Sequence, residues 1–154
     1  MATSKSMDFK EYLSKLESTL DQYLVKKAPA LPDSWKEIIV KVAPWLIAIG
    51  LVFGVLGVLA LFGLGSVLMP LSLVGGGSMS VMLLVSSLFL LASLVLELLA
   101  LPGLFKRQMK SWRLLYYSML VSAVHNVLTF NLGGLIIGTL LGLYVLFQIK
   151  SYYK

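Results

Sequence analysis

Long stretches without charge alternate along this chain with short stretches crowded with it. Residues 42–96 contain no charged side chain, and residues 114–149 contain none, with His125 counted as neutral. A helix that crosses a bilayer needs roughly 20 apolar residues, so the first stretch has room for two spans and the second for two short ones. Breakers divide them: Pro70 and the GGGS run at 75–78, Pro102 with Gly103, and the NLGG run at 131–134. The pattern predicts spans at about 44–68, 79–101, 112–130 and 133–150.

Ahead of the spans the pattern becomes amphipathic. In MDFKEYLSKLESTLDQYLV (7–25), Phe9, Leu13, Leu16, Leu20, Tyr23 and Leu24 recur at steps of three and four, which is the helical period. Glu11 and Lys15 pair one turn apart on the polar side. The helix is expected over about 7–27, with Lys26 and Lys27 at its C-terminus and the APALP run ending it. Such a helix suits a protein partner or a coiled coil. It equally suits the membrane surface or the flank of its own bundle, and this second reading is preferred because so short a heptad run makes a marginal coiled coil. A second start signal follows, with Ser34 and Glu37 spaced as a capping box and Asp33 as a competing cap. A short interfacial helix is therefore expected from about 34, with Trp35, Ile38, Ile39 and Val42 on one face and a kink at Pro44. Residues 1–41 form an N-terminal segment and residues 42–154 a membrane domain. The fold class is all-α.

Composition supports that class. The chain is 58% hydrophobic and 13% charged, where a soluble domain carries about a quarter charged residues. The first 41 residues hold seven lysines and six acids before any apolar run starts, so a cleaved signal peptide is not expected. There is no cysteine, which rules out disulfides and thiolate chemistry. The loops differ in charge: 70–78 and 131–134 carry none, whereas 103–113 holds Lys106, Arg107, Lys110 and Arg113 with no acid. Positive loops stay in the cytoplasm. A multi-pass cell-membrane protein with both termini cytoplasmic is expected.

Three groups of residues are candidates for function. Gly50, Gly54 and Gly57 in span one, and Gly134, Gly138 and Gly142 in span four, form small-residue stripes. Stripes of this kind let helix backbones approach closely, either between copies of the chain or, the preferred reading, between spans four and one. The second group is polar. Ser118, Ser122, His125 and Thr129 share one face of span three with Asn126 at its margin, and Ser86, Ser93 and Glu97 share a face of span two. Polar side chains at this depth face the bundle or a wet cavity. They make either a small polar path or interhelical hydrogen bonds worth about 0.6 kcal/mol each, and the second is preferred. A hydroxyl such as that of Ser86 or Ser87, or an outer-loop carbonyl, is the natural partner for His125. Glu97 lies level with Ser118 and is expected to pair with Arg113 or another base of the 103–113 loop rather than with His125. The third group is Lys106, Arg107, Lys110 and Arg113, which suit lipid headgroups or simply set topology. Trp112, Tyr116, Tyr117, Tyr152 and Tyr153 suit interfacial anchoring.

One histidine cannot build a bis-histidine haem or a histidine cluster for a metal. There is no phosphate-binding glycine loop and no pair of intramembrane carboxylates. Neither an enzyme nor a cofactor is expected. The net charge of +6 lies at the membrane edges, so the partners expected are the lipid bilayer, a further copy or another membrane protein, and no nucleic acid.

The second half, LPGLFKRQMKSWRLLYYSMLVSAVHNVLTFNLGGLIIGTLLGLYVLFQIKSYYK, resembles small four-span bacterial membrane proteins of unassigned function. The likeness spans about residues 95–154 and rests on the basic loop, the Asn-Leu-Gly-Gly turn and the tyrosine-rich basic end. It implies a bacterial inner-membrane protein and carries over no functional residue. The expected function is that of a non-enzymatic interaction or accessory protein. The alternative is a small oligomeric transporter or channel using the polar face around His125.

Overall fold

The computed structural model describes residues 8–74 and 78–154, and their side chains except at 61, 65–74 and 78–80. Every regular element among them is helical. Helix α1 (Phe9–Asp21) continues through a π-helical turn, Gln22–Lys27. Helix α2 is Asp33–Val74, α3 is Ser78–Phe105 and α4 is Met109–Leu128. The last helical stretch opens as a π-helix over Gly134–Leu141 and finishes as α5, Gly142–Gln148, before a 3₁₀ turn at Lys150–Tyr152. Gly75, Gly76 and Gly77, where the first hairpin turn is expected, lie outside the described residues.

Two helices, Asp33–Leu64 and Val81–Phe105, are long and apolar enough to cross a membrane, and Gly134–Gln148 is a shorter apolar helix. Three boundaries differ from the sequence expectation, one of them at Pro70, expected as a breaker, which α2 passes before it ends at Val74. The interfacial helix and the first span are one 42-residue helix, about 63 Å at 1.5 Å per residue, that runs without a break through Pro44. The Pro44 side chain is fully buried. Likewise α3 passes through Pro102 and ends at Phe105. A proline removes one backbone bond of a helix, and in both places the apolar continuity on either side outweighs it.

Successive helices are neighbours: α2 packs on α3, α3 on α4, and α4 on the last helical stretch, while the π-turn after α1 packs on α5. The core lies at the end where the basic loop and C-terminal tail meet. Ala100 and Leu104 of α3, Trp112, Leu115 and Tyr116 of α4, and Leu143, Leu146 and Phe147 of α5 are buried together there. The rings of Trp112 and Tyr116 each meet Phe147 edge-on, at 5.1 and 5.6 Å, a geometry favoured by the ring quadrupoles. The Trp112 indole N–H donates to the Leu146 carbonyl at 2.8 Å. That carbonyl belongs to the last turn of α5, where helical acceptors go unpaired.

Both turns around α4 have clear local causes. Between α3 and α4, Arg107 takes a left-handed conformation (φ 53°). A Cβ on Gly103 would collide with the Ser111 hydroxyl, so only glycine lets the two helices close there. The C-terminal tail completes this turn: Lys154 N–H donates to Arg107 O at 2.9 Å, and Met109 N–H to Lys154 O at 2.7 Å. At the far end, Asn131 N–H reaches back to Asn126 O (2.8 Å) across a left-handed Phe130, which satisfies a terminal carbonyl of α4. The Asn131 side chain then accepts from Gly134 N–H at 2.9 Å, so the residue expected only as a breaker is the N-cap of the next helix.

Candidate functional site: a polar seam and a docked N-terminal arm

The polar face of α4 and that of α3 form a single seam. Near the basic end, the Ser118 hydroxyl donates to a Glu97 carboxylate oxygen at 2.9 Å, and Ser118 is buried while Glu97 is half-buried. Two turns further along, a ring nitrogen of His125, Nε2, lies 3.0 Å from the Ser86 hydroxyl. The Phe89 ring covers the imidazole at 5.5 Å between centroids. Half-buried Ser93 and Ser122 lie on the intervening turns. Thr129 turns inward on its own helix, donating to His125 O at 2.8 Å. Asn126 leaves the seam and donates from Nδ2 to Thr139 Oγ1 at 3.3 Å, tying α4 to the last helix. Its carbonyl oxygen is where a Cβ on Gly134 would intrude, at 2.6 Å. Gly134 is thus the space in which the Asn126 amide sits.

Two sequence expectations are corrected at this point. Arg113 is not the partner of Glu97, since its guanidinium turns to Glu17 of α1, Nε to Oε2 4.0 Å. The glycine stripes do not join span four to span one. A Cβ on Gly54 would collide with Leu94 of α3, and one on Gly142 would press on Met119 of α4 at 3.2 Å, whereas Gly50, Gly57 and Gly138 have open space there. Each stripe serves the neighbouring helix in sequence because the hairpins pack in chain order.

A second constellation was hidden in the apolar pattern. Gln148, buried in α5, donates from Nε2 to Leu24 O at 2.7 Å and accepts from Leu31 N–H at 3.2 Å. One turn earlier, the Tyr144 hydroxyl donates to Pro29 O at 2.6 Å. Lys150 bridges Glu17 (3.0 Å) and Asp21 (3.3 Å). The N-terminal arm is therefore anchored to the last helix by its own backbone and by two acids one turn apart. The signal was present in the sequence: Tyr144 and Gln148 stand at i,i+4 and form a polar edge of that helix. Lys106, Arg107 and Lys110 are exposed around the turn. Tyr153 is buried, and its hydroxyl finds no hydrogen-bond partner among the described residues. Burial raises its pKa above the usual phenol value, and Arg107 partly opposes this.

Comparison with protein-family models, with curated proteins and with solved structures finds no match to this chain.

Proposed function

We propose that this chain is a four-span membrane protein that acts without catalysis, as an interaction or accessory subunit. Its N-terminus, basic turn and C-terminus are all cytoplasmic. One observation supports this reading most strongly: most of the intramembrane polar groups bond one another. Glu97 meets Ser118, His125 meets Ser86 and Asn126 meets Thr139, so each polar pair joins two helices. A helix in lipid gains little from apolar contact, and such bonds help fix its neighbours. The placement of the arm, the basic turn and the tail at one end supports the topology, as positive charge is retained inside. Gly50, Gly57 and Gly138 leave small-residue surface uncovered on the outside of the bundle, which suits a further copy or another membrane protein.

The test is the mass of the purified protein in mild detergent and in bilayer discs, read across protein-to-lipid ratios. An interaction protein runs as a defined assembly larger than one chain, whereas a single chain at every ratio contradicts the proposal. The second reading is a small oligomeric transporter or channel. It draws support from the run of half-buried hydroxyls between Glu97 and His125.

A further inference from the structure

Helix α1 has one apolar face, but docking uses only part of it. Leu13, Leu20 and Leu24 are half-buried, and Leu20 and Leu24 pack against the core. Phe9, Tyr12, Leu16 and Tyr23 are 72%, 57%, 40% and 53% exposed. At 100° per residue Phe9, Tyr12 and Leu16 of α1 fall within one 60° arc beside the docked edge, and Tyr23 follows in the π-helical turn. Bare aromatic side chains on a helix fixed in place by Gln148, Tyr144 and Lys150 need an occupant.

Three features identify it. First, the exposed charge beside this edge is basic in balance: Lys15 and Lys26 flank it and the Lys27 ammonium sits 4.4 Å from the centroid of the Tyr23 ring, against Asp8 and Glu11 near the start of the arm. Glu17 and Asp21 are turned to the bundle, where Lys150 and Arg113 pair with them. Second, Phe and Tyr rings bordered by lysines match the chemistry of the headgroup layer. Third, that layer is close. The outward apolar stripe of α2 begins at Trp35 (61% exposed) and continues through Ile38, Val42 and Trp45 into the span. Only residues 28–32 separate the end of the arm from α2, a link of about 22 Å at most.

We propose that this edge of α1 is a docking surface for acidic phospholipid headgroups of the bilayer in which the chain sits. The arm is then a preformed surface anchor, its aromatic residues in the headgroup layer and its lysines on lipid phosphate. The inference rests on the chain spanning that bilayer, and the experiment separates the two. The chain has no cysteine, so Leu16→Cys, Glu11→Cys and Phe53→Cys each give one attachment point for a spin label. Each labelled full-length variant is reconstituted at one chain per lipid disc, in phosphatidylcholine alone or mixed equally with phosphatidylglycerol. Accessibility to oxygen and to a water-soluble nickel chelate is then read. The Phe53 label should report lipid in both. In the acidic bilayer the Leu16 label should shift away from the chelate and toward oxygen, while the Glu11 label stays aqueous. Replacing Lys15, Lys26 and Lys27 together by glutamine should abolish that shift. A Leu16 label as aqueous as Glu11 in both bilayers overturns the proposal. Equal shielding in both overturns the assignment to acidic lipid, and an aqueous Phe53 label overturns the spanning reading itself.

Discussion

The basic end of the bundle and the seam between α3 and α4 hold helices together in opposite ways. At the basic end, large side chains are buried against one another: Trp112, Tyr116 and Phe147 are at most 1% exposed, and α2, α3, α4 and α5 all contribute buried residues to one cluster, with Leu20 of α1 packed against it. Along the seam the contacts are small, hydroxyl to carboxylate and hydroxyl to imidazole, one every two turns. Buried aromatic area carries several kcal/mol per residue, whereas an intramembrane hydrogen bond carries well under one on average. Stability is therefore concentrated at one end, and the seam fixes which faces of the helices meet.

The strongest way to break this contrast is Trp112→Ala. It removes a fully buried indole, its bond to Leu146 O and its contact with Phe147, and should cost about 3–5 kcal/mol in denaturant unfolding from detergent. Trp112→Phe keeps most of the packing and should cost about 1 kcal/mol. Equal losses for the two variants would show that the end is not the core. Next, Gly54→Leu should cost about 1–3 kcal/mol by overpacking, since Leu94 already fills that space. Gly138→Leu should leave the stability of one chain unchanged, because its surroundings are open. If Gly138→Leu lowers the assembly mass instead, that surface is the contact between chains.

Gln148→Ala should cost about 1–2 kcal/mol by leaving Leu24 O and Leu31 N–H without their partner. It should also speed hydrogen exchange at the Leu31 amide while the Trp112 cluster stays protected. Uniform deprotection would mean that the arm is part of the core rather than docked on it.

The smallest effect is alkaline. A tyrosine whose folded pKa is raised holds its proton in the native state while the unfolded chain loses it, from about pH 10. Stability contributed by Tyr153 is thus present below that pH and declines as pH rises beyond it. Tyr153→Phe should flatten that decline. An unchanged slope would assign it to other groups.

Helical spacing made part of this legible in advance. Ser86, Ser93 and Glu97 occupy one face by position alone, as do Ser118, Ser122 and His125, and the structure places the two faces together. What spacing could not supply was the neighbour of each helix. Gly54 belongs to a stripe in the sequence, yet only the chain-order packing shows that Leu94 meets it. Arg113 stands at the start of the third predicted span in either reading, and its attraction to Glu17 depends on an arm that docks through Gln148, near the end of an apolar run. Hairpin-local features follow from sequence; contacts between residues 115 to 129 positions apart do not.

The central claim is that the His125 seam joins helices and carries no solute. It is tested most directly by proton flux into vesicles containing the wild-type protein or His125→Gln, which keeps one donor and one acceptor for Ser86. Both proteins should fold, and neither should pass protons faster than protein-free vesicles at any pH. A pH-dependent flux in the wild type that disappears in a well-folded His125→Gln protein would contradict the claim and make the seam a path.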